Sequence, residues 1–402
     1  MLPALKDTSS PEKNITPRDT AQSAQTVKKN VTAALFARRC VRTLPSRSTV
    51  NKFLMSGNNI IGEAAIRAGC RFYAGYPITP QNELTEYMAE HMRNAEGGVF
   101  IQSESEIAAI HMITGAAAAG ARVMTSSSSP GISLKQEGIS SLAACELPSV
   151  IVNIMRGGPG LGNIRPAQGD YFQATRGGGH GDYRTIVFGP ATCQELADLT
   201  MDAFDLADKY RTPVMILADG MMGQMMEPVI FKKPKPRQYS ENFMLRGAGD
   251  GKSKIIRGLI LDAIDMEEHN WKLARKYEVI AKNEIRYETY QTDDAELVVV
   301  AYGTAARIAK GAIKRLREHN KVKAGLFRPI TLWPFPEARL RSLSGKIKDF
   351  LVFEMSTGQM LEDVRLSLQG YADIGFHGRP GGAVPTPAEL ANVIARYYEK
   401  KD

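Results

Sequence analysis

Thr79 stands between two prolines in AGYPITPQNE, residues 74–83. Pro77 fixes its own φ, and Pro80 steers the residue before it toward extended backbone. A hydroxyl held this way either caps the helix that PQNELTEYMAEHM opens, with Pro80 in its first turn, or meets a ligand at that helix start. Glu106 heads the apolar run IAAIHMITGAAAAG. A carboxylate there is either a surface group favoured by the helix dipole or an acid–base group, and Glu104 competes for the second part. Arg156 closes the apolar run SVIVNIM and opens GGPGLGN, where Gly157, Gly158, Gly160 and Gly162 leave the backbone bare. Its planar fork suits a carboxylate, whether a substrate's or a structural partner's. A second glycine loop, RGGGHGDY at 176–183, adds His180 and Asp182. A histidine there serves either as a hydrogen-bonding strut or as a metal ligand.

Side chains so far apart in sequence need a frame, and alternating strand and helix patterns supply one. NNIIGEAAIRAG sets Ile60, Ile61, Ala64, Ala65 and Ala68 on one helical face and stops at Gly69. CRFYAGY, GGVFIQ, ARVMTSS, PSVIVNIM, RTIVFG and TPVMILAD read as strands. Helices are expected over PQNELTEYMAEHM, SEIAAIHMITGAAAAG, residues 130–144 and TCQELADLTMDAFDLADKY. This alternation predicts an α/β fold with a parallel sheet covered on both faces. GYPITP, SESE, SSSSPG and RGGPGLGNIRPAQGD all follow strands, where open parallel sheets bind ligands. Residues 231–294 are charged and read as a connector with some helix, not a continuation of the sheet. A second α/β unit follows, with strands in ELVVVAYG, KAGLFRPITLWPFP and DFLVFEM and helices in TAARIAKGAIKRLREHN and QMLEDVRLSLQ. Two prolines make ITLWPFP an edge or strand-exit feature. The expected organisation is a basic, disordered extension at 1–54, an α/β domain at 55–230, the connector at 231–294 and a second α/β domain at 295–402.

Composition narrows the function. With 402 residues, 43% hydrophobic and 23% charged, the chain is globular and too long for one ordinary core. No apolar run approaches the ~18 residues that suggest a membrane span, and a cytoplasmic location is expected. Ten Lys/Arg against three Asp/Glu place +7 of the net charge of +8 in residues 1–54. The remainder is almost neutral, so no nucleic-acid partner is expected. Within the extension, AALFARRCVRTLPSRS faintly resembles an organelle transit peptide. The plainer reading is an extension of no folding consequence ahead of an internal start at Met55. Cys40, Cys70, Cys145 and Cys193 show no CxxC spacing. They read as small buried residues of a reducing compartment, not as ligands of zinc or an iron–sulfur cluster. GPGLGN does not open a helix as GxGxxG does, and no GxxxxGK[ST] occurs.

With their flanks, these loops resemble the α subunit of 2-oxoacid:ferredoxin oxidoreductases. The motifs that carry the resemblance are GNNIIGEAAIRAGCRFYAGYPITPQNE, QSESEIAAIHMITGAAAAGARVMTSSSSPGISL, VNIMRGGPGLGNIRPAQGDYFQATRGGGHGDY and DKYRTPVMILADGMMGQMMEPV. The resemblance covers about Phe53 to Tyr398 and is nearest to the 3-methyl-2-oxobutanoate (2-ketoisovalerate) enzymes. It implies a thiamine-type pyrimidine-binding domain followed by a transketolase-C-like domain. It further implies thiamine-diphosphate-dependent oxidative decarboxylation of branched-chain 2-oxoacids to acyl-CoA and CO2, with ferredoxin as acceptor. The implied partners are a β subunit carrying the diphosphate and Mg2+ site and usually an iron–sulfur cluster, and γ and ferredoxin-like subunits. An external ferredoxin would take the electrons, and the chain alone would be inactive. The GDG within GAGDGKSK, which opens the diphosphate–magnesium motif elsewhere, lacks a downstream Asn pair, since KYEVIAKNE offers only Asn283. By resemblance, Glu106 is the cofactor-activating glutamate, nine residues ahead of Gly115, and Glu104 does not match. Thr79 and Arg156 fall on substrate-contacting positions, and His180 on none. The alternatives are the same reaction on pyruvate, 2-oxoglutarate or an aryl pyruvate, with Arg165 as the extra base for a dicarboxylate, or a non-catalytic assembly subunit.

Overall fold

Residues 149–155 and 213–219 are buried at every position, as strands covered on both faces must be. The structure, a computed structural model, describes residues 51–237, 242–249, 254–319 and 322–400. The extension at 1–50, with Cys40 and the Arg- and Ser-rich stretch, lies outside the described residues, as do Asp250 and Gly251 of the GDG triplet.

The first half runs β1 (Phe53–Ser56), α1 (Gly57–Arg67), β2 (Phe72–Gly75), α2 (Asn82–His91), β3 (Val99–Gln102), α3 (Glu106–Ala118), β4 (Val123–Ser127), α4 (Ser129–Ala144) and β5 (Ser149–Met155). It continues through α5 (Tyr171–Arg176), β6 (Ile186–Phe188), α6 (Cys193–Tyr210), β7 (Pro213–Asp219), α7 (Gly220–Gln224) and β8 (Met226–Val229). The second half adds α8 (Ala263–Asn283), β9 (Tyr287–Tyr290), β10 (Leu297–Val300), α9 (Gly303–Glu318), β11 (Ala324–Pro329), β12 (Thr331–Trp333), α10 (Glu337–Leu343), β13 (Asp349–Glu354), α11 (Gln359–Leu368), β14 (Asp373–Gly378) and α12 (Pro387–Glu399).

A seven-stranded sheet has the order β12-β6-β7-β5-β4-β2-β3, and a five-stranded sheet the order β14-β13-β10-β11-β9. All neighbours in both are parallel except the edge strands β12 and β9. The α/β class with parallel sheets therefore stands. All five apolar residues expected on one face of α1 are buried or nearly so.

Three local expectations change. Phe53 and Leu54, counted with the extension, pair antiparallel with Val229 and Pro228. Residues 287–290, inside the stretch read as a connector, form β9, because Tyr287, Thr289 and Tyr290 are residue types that suit a half-buried edge. The ITLWPFP run is an edge, as its prolines require, yet β12 joins the seven-stranded sheet beside β6 rather than the sheet of its own half. Gln168 adds a second tie between the halves. Its side chain donates to Tyr302 O at 3.0 Å and accepts from Met355 N–H at 2.9 Å.

Two helices pack closely over this frame. On α4, a Cβ added at Gly138 would lie 2.5 Å from Ile110 side-chain carbons, and one at Gly131 would lie 2.5 Å from Glu106 Oε1. Only hydrogen in place of a methyl lets α4 come this near α3.

Candidate active site

From β2 the chain moves outward to β3, then returns past β2 to β4 and continues through β5 to β7. The crevice at the carboxyl ends of β2 and β4 is thus the topological switch point, the usual ligand site of open α/β sheets. The loops after β2, β3, β4 and β5 enter here or next to it.

Thr79 lies in the loop after β2 but does not cap α2. That helix begins at Asn82 with Gln81 at the N-cap position, and Asn82 Nδ2 reaches Thr79 Oγ1 only at 3.5 Å. The Thr79–Pro80 peptide is cis. Arg156, after β5, donates from Nη1 to Thr79 O at 3.0 Å and from Nη2 to Leu161 O at 3.0 Å. The tertiary fold thus joins two residues 77 positions apart. The structural ion pair weighed for Arg156 is not formed. Among the described residues no carboxylate pairs with it, and its buried Nε has no acceptor. Neutral carbonyls orient the guanidinium while its charge stays uncompensated.

Glu106 is the first residue of α3, whose N-cap Ser105 accepts from Ala108 N–H. It is 6% exposed, and among the described residues nothing donates a hydrogen bond to its carboxyl. Glu104 is exposed and takes only the Ser105 hydroxyl, at 3.0 Å. Burial thus separates two glutamates that spacing left in competition. Glu106 shares no hydrogen bond with Thr79 or Arg156 and stands one strand end away.

Several residues that pattern alone did not single out complete the floor. Ser129 Oγ donates to Asp170 Oδ2 at 2.6 Å and accepts from Arg156 N–H at 3.0 Å. Asn153 Nδ2 donates to the same Asp170 oxygen at 2.9 Å. Burial pushes the Asp170 carboxyl up from its ordinary value, against these two hydrogen bonds. A cleft of about 450 Å3 beside this cluster is lined by Gly158, Asp170, Ser356, Gln359 and Gly381 among others. Under the β2 and β4 ends, Ser126 donates to Gln81 Oε1 at 2.6 Å and is 2.6 Å from the Tyr73 hydroxyl. Lys135, in α4, is wholly buried, and the Glu106 carboxyl acts on its charge. Its only sequence signal was its place four residues after Gly131, on the same helical face.

His180 is exposed and, among the described residues, makes no hydrogen bond, so the strut reading fails. No group of three or more His, Cys, Asp or Glu side chains gathers there or elsewhere among the described residues. Arg165 is exposed on the hairpin that Arg156 and Pro166 close. No helix among the described residues is long and apolar enough to cross a membrane.

Residues 63–300 match the family described as pyruvate flavodoxin/ferredoxin oxidoreductase, thiamine diP-binding, and residues 295–390 match the pyruvate:ferredoxin oxidoreductase core domain II. The chain belongs to the thiamine-dependent 2-oxoacid:ferredoxin oxidoreductases, as a subunit. It is 47% identical over 347 residues to ketoisovalerate oxidoreductase subunit VorB of Methanothermobacter marburgensis, covering 86% of this chain and 97% of that one. It is 38% identical to 2-oxoglutarate synthase subunit KorA of Methanothermobacter thermautotrophicus, covering 86% and 98%. Among solved structures, the 2-oxoglutarate:ferredoxin oxidoreductase from Magnetococcus marinus, with 2-oxoglutarate, coenzyme A and succinyl-CoA bound, aligns with a TM-score of 0.77 at 26% identity. That alignment covers 93% of this chain and 70% of the other. A split-gene transketolase shares the fold, with a TM-score of 0.53 at 12% identity.

Proposed function

We propose that this chain supplies the pyrimidine side of the thiamine diphosphate site in a complex acting on 3-methyl-2-oxobutanoate and related branched-chain 2-oxoacids. The acid loses CO2, its acyl group passes to the thiol of coenzyme A, and two electrons pass singly to ferredoxin. The observation that carries the reading is Glu106, a buried carboxyl at the head of α3 to which no described residue donates a hydrogen bond. Such an acceptor is costly unless another molecule meets it.

When bound, thiamine diphosphate supplies the nucleophilic carbon and the electron sink for decarboxylation. Glu106 holds the pyrimidine ring and its proton, in a space that α3 and α4 close to water. Arg156 offers its unused N–H groups to the substrate carboxylate, a charge-assisted contact of roughly 1.5–3 kcal/mol. Thr79, fixed through its carbonyl by the same guanidinium, turns its hydroxyl to the oxo group. Residues 55–230 then form the pyrimidine-binding domain and residues 295–402 the transketolase-C-like domain, a division supported by the two family matches.

The diphosphate, Mg2+ and iron–sulfur clusters are assigned to β, γ and ferredoxin-like partners, and the complex to the cytoplasm. One feature supports dependence on a partner. α3 is mostly apolar, and beside exposed His111 its outer face shows Ile107 at 48% and Met112 at 37% near Gly115. A helix of this kind is built to be covered. Gly115→Trp should therefore block co-purification with the β subunit while the isolated chain stays folded.

The substrate assignment rests on the higher identity to the ketoisovalerate subunit than to the 2-oxoglutarate subunit. The second reading is 2-oxoglutarate, favoured by exposed Arg165, which could meet a distal carboxylate. Ferredoxin reduction by the purified complex with 3-methyl-2-oxobutanoate, pyruvate and 2-oxoglutarate decides between them. A kcat/KM for 2-oxoglutarate above that for 3-methyl-2-oxobutanoate overturns the first reading.

A further inference from the structure

Lys135 is a lysine with no exposure at all, and nothing in the fold requires a charge at its position. Its ammonium donates to Thr125 Oγ1 at 2.6 Å and approaches Ser126 O at 3.4 Å. Thr125 spends its own proton on Ala74 O, at 2.7 Å, so it must accept from Lys135. Among the described residues no carboxylate comes within ion-pair distance of Lys135, and at least one of its N–H groups lacks a protein acceptor. A methionine would fill the same slot without the desolvation penalty.

The two glycines of α4 show what the position faces. Gly131 lies against the Glu106 carboxyl and Gly138 against Ile110, which are successive turns of the same face of α3. Lys135 sits between those glycines on α4. Its hydrogen-bond partners among the described residues, Thr125 and Ser126, both lie on β4. Beyond Ser126 stands the Tyr73 phenol of β2, which burial keeps neutral. Among the described residues the Glu106 carboxyl acts on its charge through space.

We propose that Lys135 is the positioning residue for Glu106: its charge, buried behind the carboxyl, keeps Glu106 ionised in a closed site, ready to hold the proton of the cofactor ring. The inference rests on the role proposed for Glu106. Burial lowers the Lys135 ammonium to about 7, with the Glu106 carboxyl pulling the other way.

The test compares Lys135→Met, Lys135→Gln, Glu106→Gln and the double variant Glu106→Gln/Lys135→Met in the native complex. Without the cation, buried Glu106 takes up a proton at higher pH. In Lys135→Met the acid limb of the kcat/KM profile should move up by about one unit or more. Affinity of the cofactor-free complex for thiamine diphosphate should weaken at pH 6–7 and recover at pH 9. Removing a buried charge should leave the thermal midpoint at pH 7 unchanged or higher, whereas loss of a merely structural residue lowers it. In the double variant, Lys135→Met should add less than about twofold to the loss caused by Glu106→Gln, since it acts through that group. Lys135→Gln, which keeps a donor toward Thr125, covers the case in which the methionine variant does not fold. A native acid limb with native cofactor affinity, or losses that multiply in the double variant, overturns the proposal. If Glu106→Gln itself turns over normally, the functional reading fails instead, and the two failures are told apart.

Discussion

Replacing Gly131 by alanine adds one methyl group to the face of α4 that lies against Glu106. In an exposed helix this exchange stabilises by about 1 kcal/mol, so propensity predicts a gain. The structure predicts the reverse. The new Cβ would stand 2.5 Å from Glu106 Oε1, where ordinary contact begins at 3.4 Å, and closer still to Ser127 Oγ. The Ser127 hydroxyl can rotate away, but the carboxyl must yield roughly 0.9 Å, the difference between those two distances. A displacement of about 1 Å in a group that positions a reacting ring costs on the order of 10²-fold in rate. Overpacking also costs about 1–3 kcal/mol of stability, which the helix-propensity gain partly offsets. The assay is 2-oxoacid-dependent ferredoxin reduction by the reconstituted complex, with thermal unfolding of the same preparation. Gly249→Ala, where a Cβ meets nothing within 4 Å, is the control. If Gly131→Ala turns over within about twofold of the native complex, the close approach of α4 to Glu106 does not matter to the chemistry and the argument is wrong.

Glu106→Gln should preserve assembly and lose about 10²–10⁴-fold in turnover, while exposed Glu104→Gln should change little; equal effects would mean that burial does not distinguish them. Arg156→Ala should raise KM for the 2-oxoacid and lower kcat together, because it removes both a carboxylate contact and the anchor on Thr79 O; unchanged 2-oxoacid kinetics would remove it from the site. Asp170 has a raised folded value, so its ionisation in the native state costs stability once the pH exceeds the ordinary 3.8. Asp170→Asn should therefore compare best with the native chain in thermal midpoint at pH 7, and the difference should fade as the pH falls below that value; a gap independent of pH contradicts the burial argument. Gln168→Ala leaves the Met355 N–H without its acceptor and should cost about 1–3 kcal/mol, measured by denaturant unfolding; a change under 0.5 kcal/mol would mean that water replaces the latch.

Local pattern made much of this protein readable. Residues 149–155 and 213–219 are apolar at almost every position, and a run of that kind can rest only inside a sheet covered on both faces. Glycine and proline marked the loops after β2, β4 and β5, because those residues stop strands and helices within a few positions of themselves. Thr79, Glu106 and Arg156 could therefore be singled out by type and setting. The choice between Glu104 and Glu106 could not be made from spacing. It depends on which of two neighbouring side chains α4 covers.

The sequence by itself determined the α/β class, most of its strands and helices, and the loops from which a site would be built, since each follows from interactions among residues close along the chain. The tertiary structure alone decided that Arg156 grips the carbonyl of Thr79 and that β12 crosses to the other sheet. It also decided that Lys135 of α4, a residue type that usually stays in water, lies wholly buried. Those outcomes depend on how closely distant elements approach, and here two glycines, each lacking one methyl group, set that distance.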